Sequence, residues 1–226
     1  MIYINSIRNH FMQELHDENF TIDRNGGKTI ELLGASFIAD EPAIFGKPNQ
    51  AYIDAEIKWY ESQSTNINDI YGTDFDSKSP PLAWKMTAND HGEINSNYGH
   101  LIFSEKYYNQ FEQVVLELTK NKDSRRASMI YTRPSIWVEY NENGKSDFIC
   151  TNAQTFYIRD NKLHMVSQMR SNDVVFGYKN DYAWAQHLMD RAIDNLNEEG
   201  HNLTKGDLTW QVMNLHVYER HFNLVE

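Results

Sequence analysis

Apolar residues at Ile4, Ile7, Phe11, Met12 and Leu15 recur at helical spacing and predict an amphipathic helix over residues 3–17. Gly26-Gly27 marks a turn, after which residues 28–39 read as a strand interrupted near Gly34. Tyr52, Ile53, Ile57, Trp59 and Tyr60 place a second helix over 50–62. Residues 73–81, with Asp, Ser and two prolines, read as a loop, and 104–118 as a third helix with Ser104 at its N-cap. The pattern then changes period, and strands are expected over 127–132, 136–140, 148–159 and 163–171. Asn143-Gly144 and Asp160-Asn161 supply turns, the second at hairpin length. Residues 182–196 return to a helical pattern, with Trp184, Leu188 and Met189 to one side, and 208–218 form a last strand. This order predicts a single α+β domain over 1–226, with one main mixed sheet and helices packed on it.

Composition narrows the function. The chain has 226 residues, 40% of them hydrophobic, enough for a sizeable core. Its net charge is −11, from 21 Lys+Arg against 32 Asp+Glu, which argues against binding nucleic acid. A small anionic substrate fits better, because a local arginine cluster outweighs a weakly acidic background at short range. No run of 18 apolar residues suggests a membrane span, and the polar N-terminus lacks the apolar core of a signal peptide. The single cysteine, Cys150, suits a reducing, cytoplasmic setting. The nine histidines show no HExxH or Cys/His spacing, so no metal site is expected. The loops GxGxxG and GxxxxGK[ST] are absent from the sequence, which disfavours Rossmann and P-loop readings.

Several residues could carry chemistry. Cys150 lies at a strand start, where a lone cysteine is either a small buried hydrophobe or a nucleophile held as thiolate by nearby arginines. Arg125-Arg126 is either a solvated edge or a phosphate grip. Arg170-Ser171-Asn172-Asp173 is a polar cluster at a strand end, a plain turn or a ligand contact. His216 and Tyr218 share a strand face, either as a satisfied core pair or as partners for a sugar hydroxyl. Glu56, read alone, is a surface charge on its helix.

Taken together, these residues resemble the thymidylate synthase superfamily. RSNDVVFGYKNDYAW at 170–184 is similar to its Arg-Ser-x-Asp-Val…Gly…Asn signature. SRR at 124–126, the strand cysteine at 150, YG at 98–99 and HVY at 216–218 fall in the same order. GASFIADEP, GEINSNYG, SRRASMIYTRPS and SDFICTN most resemble the family's deoxycytidylate hydroxymethylase branch of T-even-like bacteriophages. The likeness runs from about residue 23 to 225 without gaps inside the motifs.

The resemblance implies the thymidylate synthase fold in a homodimer. It implies conversion of dCMP to 5-hydroxymethyl-dCMP, with 5,10-methylenetetrahydrofolate as one-carbon donor and water ending the reaction. It implies no direct contact with nucleic acid or membrane, and a place in the host cytoplasm if the chain is phage-encoded. It gives Cys150 the role of nucleophile at C6 of the pyrimidine, and Glu56, in a Glu-x-x-Trp helix, that of handling protons. Arg170 and Arg24 would bind the phosphate, with Arg125 and Arg126 reaching the partner subunit's phosphate and Ser171 beside them. His216 and Tyr218 would hold the deoxyribose. Asp173, Tyr98 and Trp84 fall on the folate side.

The resemblance also points to Asp181 as the residue that chooses the base. Synthases acting on dUMP carry asparagine there, which matches uracil. Cytosine reverses that edge, with N3 an acceptor and the 4-amino group a donor. An aspartate accepts from the amino group, and a shared proton bridges it to N3. A mismatched edge leaves buried groups unpaired at about 1–3 kcal/mol each. Asn180 is adjacent, and the ungapped match sets the register on Asp181. Thr151 stands where the synthases have histidine, which weakens a plain thymidylate synthase reading. Members of the family continue past the His-x-Tyr strand with a closing segment; a chain ending at Glu226 is expected to leave the site open to water, which suits hydroxylation. The alternatives are dUMP hydroxymethylation or methylation and, in another class, a non-catalytic nucleotide-binding homologue.

Overall fold

The computed structural model describes residues 1–23, 26–72 and 78–225. Arg24 and most of the expected loop at 73–81 lie outside the described residues. Six strands form one sheet: β1 (Thr21–Ile22), β2 (Lys28–Ile38), β3 (Ser128–Ile130), β4 (Thr151–Arg159), β5 (Lys162–Asp173) and β6 (Thr204–Tyr218). Their spatial order is β1-β2-β6-β5-β4-β3. All pairs are antiparallel except β5 with β6. Parallel neighbours need a crossover. Here it is the long helix α7 (Gly177–Glu198), which carries Trp184, Leu188 and Met189 into the core. The parallel register sets Asp173 beside His216 at the ends of the two central strands.

Among the described residues six shorter α-helices surround the sheet: α1 (Ile4–His16), α2 (Gln50–Ser62), α3 (Leu82–Thr87), α4 (Tyr98–Phe103), α5 (Gln110–Lys120) and α6 (Ile136–Glu139). Helices α2, α4 and α7 meet through aromatic rings, Tyr60 lying 5.3 Å from Tyr98 and 5.0 Å from Trp184. The contact of α2 with α4 depends on Gly99, where a Cβ would stand 1.8 Å from the Tyr60 carbonyl oxygen. Among the described residues no helix is long and apolar enough to cross a membrane.

The α+β class and the main sheet agree with the sequence reading, and four local expectations are corrected. Residues 136–140 form helix α6 rather than a strand. Ile136 is buried while Trp137 and Val138 are exposed, so the run lacks the alternation of a sheet strand, and Pro134 precedes it. The helix expected at 104–118 is a single 3-10 turn, Glu105–Tyr107, followed by α5. Ser104 makes no side-chain capping bond; Tyr108 and Asn109, both with left-handed backbone, break the two apart. The short α4 went unpredicted. Strand β4 begins at Thr151 rather than 148, because the carbonyls of Phe148 and Ile149 accept from the Arg170 side chain. The Asp160-Asn161 hairpin turn is as expected, with φ of 52° and 56°.

Candidate active site

Cys150 immediately precedes β4, and Arg170 lies near the end of β5, whose N–H donates to the Cys150 carbonyl at 2.9 Å. The Arg170 guanidinium holds the loop before the cysteine. Its Nε donates to Ile149 O (3.0 Å) and its Nη2 to Phe148 O (2.6 Å), and Nη2 also reaches Cys150 Sγ at 3.4 Å. Cys150 Sγ itself lies 3.8 Å from Phe148 O, within reach of a weak S–H···O bond. Burial pushes the thiol up to about 11; Arg170 pulls it down, and Asp181 and Asp147 add to the rise. Arg170 thus favours the thiolate, and desolvation opposes it more strongly.

Glu56 is buried, not a surface charge. Its Oε1 accepts from the Tyr52 hydroxyl at 2.5 Å and from Trp84 Nε1 at 3.1 Å, and Trp84 Nε1 also donates to the Tyr52 hydroxyl oxygen at 2.9 Å. Tyr52 is one helical turn before Glu56 on α2, the spacing at which side chains meet. Burial raises the Glu56 carboxyl to about 7, against the pull of those two donors. A carboxyl in this range both accepts and releases a proton near neutral pH.

Asp181 stands in the second turn of α7. Asn172 Nδ2 donates to its Oδ2 at 2.7 Å. Its carboxyl is pushed up to about 8, first by burial and then by Glu56, with Asp173 adding and Asn172 opposing. Asp181 also acts on the buried hydroxyls of Tyr60 and Tyr98 and on the Cys150 thiol. The cluster thus gathers Cys150, Glu56, Tyr98 and Asp181. Thr151 stands near Tyr98 and opposes the rise of its hydroxyl.

Asp173 Oδ1 accepts from the backbone N–H of Val175 (2.9 Å), Phe176 (2.6 Å) and Gly177 (3.4 Å), capping the start of α7. Its Oδ2 is buried without a hydrogen-bond partner. His216 is buried beside it, its ring 4.8 Å from that of Tyr218, and burial lowers the histidine's pKa. Arg125 and Arg126 are exposed, and Arg126 pairs with Glu117 at 3.0 Å. Ser171 is half-buried next to Arg170 on β5.

The thymidylate synthase family profile matches residues 10–226. The chain belongs to the thymidylate synthase family. The deoxycytidylate 5-hydroxymethyltransferase of Enterobacteria phage T4 is 47% identical over 225 residues, covering 99% of this chain and 89% of that protein. The enzyme of the same name from Enterobacteria phage T6 is 47% identical over the same shares. A crystal structure of thymidylate synthase from T4 phage superimposes with a TM-score of 0.74 at 22% identity, covering 95% of this chain and 77% of that one.

Within this thymidylate synthase family member, the sequence reading missed Tyr52 and Asn172. Tyr52 was legible as a polar group four residues before Glu56, although it was counted with the apolar face. Asn172 carried no local signal beyond its place in the Arg170–Asp173 cluster. Trp84, assigned to the folate side, gives its N–H to Glu56 and packs edge-on against Trp59 at 5.2 Å.

Proposed function

We propose that this chain is a deoxycytidylate 5-hydroxymethyltransferase that carries a one-carbon unit from 5,10-methylenetetrahydrofolate to C5 of dCMP, with water completing the hydroxymethyl group. The observation that carries this reading is the buried Asp181 carboxyl, held by Asn172 Nδ2 at 2.7 Å and pushed up to about 8 by burial, which favours its neutral form. A neutral carboxylic acid presents one donor and one acceptor, the complement of the N3 and 4-amino edge of cytosine. The relatives at 47% identity support the same reading.

The residues divide the work. Cys150 Sγ adds to C6, which turns C5 into a carbon nucleophile, and leaves again when the product is complete. Because burial holds the thiol at about 11, its proton goes through water to the ionised Glu56 carboxyl as the sulfur attacks, and a neutral Asp181 removes one charge that opposes the thiolate. Glu56, poised at about 7 by burial, takes and returns protons at the base and the reacting carbon. Arg170 and Arg24 bind the phosphate, Ser171 adds a hydroxyl, and His216 with Tyr218 holds the deoxyribose. The folate supplies the one-carbon unit. Asp173 Oδ2, which accepts no hydrogen bond and has His221 Nδ1 at 3.9 Å, fits an N–H donor such as a pterin edge, and Tyr98 and Trp84 contact the folate.

The acting species is a homodimer in which Arg125 and Arg126 reach the phosphate in the partner's site. Their exposure supports this. The chain forms one catalytic domain and works in the cytoplasm of a host cell, without binding nucleic acid directly.

The test is incubation with dCMP, dUMP or CMP plus methylenetetrahydrofolate, with products read by mass. Addition of one CH2O unit to dCMP is expected. A methylated product from dUMP, or no turnover of any of the three, overturns the reading. Asp181→Asn is expected to move the dCMP/dUMP preference toward dUMP by about ten- to a hundred-fold.

A further inference from the structure

Asn172 is 4% exposed on β5, and both ends of its side-chain amide are engaged. Trp210 Nε1 donates to its Oδ1 at 3.2 Å. An indole N–H is a donor only, so the amide oxygen must face Trp210 and the NH2 must face the other way. That NH2 meets Asp181 Oδ2 at 2.7 Å. The approach depends on Gly177, where a Cβ would stand 3.1 Å from Asn172 Nδ2 and 3.8 Å from Asp181 Oδ2. The indole of a core tryptophan thereby fixes an amide, and the amide fixes a carboxyl.

We propose that Asn172 is a positioning residue that decides which Asp181 oxygen donates and which accepts, and so sets the preference for cytosine. The inference rests on the dCMP reading above. A carbonyl oxygen accepts better than a hydroxyl oxygen, so the Asn172 donor draws the carbonyl character onto Oδ2 and leaves the proton on Oδ1. Oδ2 keeps a second lone pair for the cytosine 4-amino group, and the Oδ1 hydroxyl faces N3. Without Asn172 the carboxyl is free to present either oxygen, and uracil, with its reversed edge, becomes an equal partner. The groups that act on Asp181 from the surrounding elements are Glu56 and Tyr60 on α2, Tyr98 on α4, Tyr131 after β3, Cys150 before β4 and Asp173 on β5. Asn172 opposes the rise in the Asp181 pKa that Glu56 and Asp173 reinforce.

The test is equilibrium binding of dCMP and of dUMP, measured by calorimetry on the whole protein across about pH 5.5 to 8. Wild type, Asn172→Asp and Trp210→Phe are compared, with circular dichroism as the check on folding. In N172D the new carboxylate accepts but cannot donate, so it draws the Asp181 proton to itself. The dCMP/dUMP ratio is expected to fall at least about ten-fold at neutral pH. It is expected to recover toward acid, as the introduced carboxyl protonates; a purely structural defect shows no such pH dependence. In W210F the amide is free to flip, and a loss of about three-fold or more is expected; this variant decides the matter if N172D does not fold. Folded variants that keep the wild-type ratio at every pH overturn the role of Asn172 and leave the dCMP reading standing. A wild type without preference for dCMP overturns both.

Discussion

Arg170 Nη2 lies 3.4 Å from Cys150 Sγ, and the thiol nonetheless stands at about 11. One neighbouring charge does not offset the desolvation of a buried sulfur when two carboxyls add to the rise. Cys150 is the only cysteine, so its alkylation by iodoacetamide reports the thiolate directly. The rate is expected to climb with pH toward a midpoint near 11, and Arg170→Leu moves that midpoint higher. A wild-type midpoint at the ordinary value of about 8.5 contradicts this account.

Glu56 depends on its two donors. The Tyr52 hydroxyl and the Trp84 N–H both favour the ionised carboxyl. In Tyr52→Phe the carboxyl loses one of them and rises above about 7. The acid limb of the kcat/KM profile for dCMP is then expected to move to higher pH, with activity restored in alkali. An acid limb that stays in place separates Glu56 from the essential ionisation.

The raised carboxyls also shape stability. Glu56 stands at about 7 against 4.5 for the free group, and Asp181 at about 8 against 3.8. Both bind protons more tightly folded than unfolded, so their contribution is full below the unfolded values and is lost as pH rises through the folded ones. Stability is expected to fall between about pH 5 and pH 8, on the order of 6 kcal/mol at about 1.4 kcal/mol per proton and pH unit. The double change Glu56→Gln with Asp181→Asn flattens that fall in urea titrations. A double variant with the wild-type slope refutes the assignment.

Gly99 links fold to site, because a methyl group there would press on the Tyr60 carbonyl. Gly99→Ala is expected to cost about 3 kcal/mol and to cut turnover, since α2 carries Glu56 and α4 carries Tyr98. Thermal denaturation and assay together check this; an unchanged midpoint means the two helices part freely.

Much of this site was legible because its chemistry lies in short, ungapped runs. Arg170, Asp173 and Asp181 fall in one fifteen-residue motif, and Cys150 in another. The burial of Glu56 was not legible: a helix with several aromatic positions does not reveal which face meets the core. Nor was the upward push on the Cys150 thiol, because the balance between one guanidinium and the surrounding desolvation exists only in three dimensions. The strand expected at 136–140 failed for a local reason. Ile-Trp-Val-Glu-Tyr has strand-like composition, yet two of its apolar side chains face solvent after a proline turn.

The central claim is that the Cys150 sulfur activates C5 of a cytosine nucleotide. The direct measurement is release of tritium to water from dCMP labelled at C5, with methylenetetrahydrofolate present. Release is expected from wild type with dCMP, with much less from labelled dUMP and none in Cys150→Ser. Release that survives in Cys150→Ser, or that is absent from wild type with dCMP, contradicts the account.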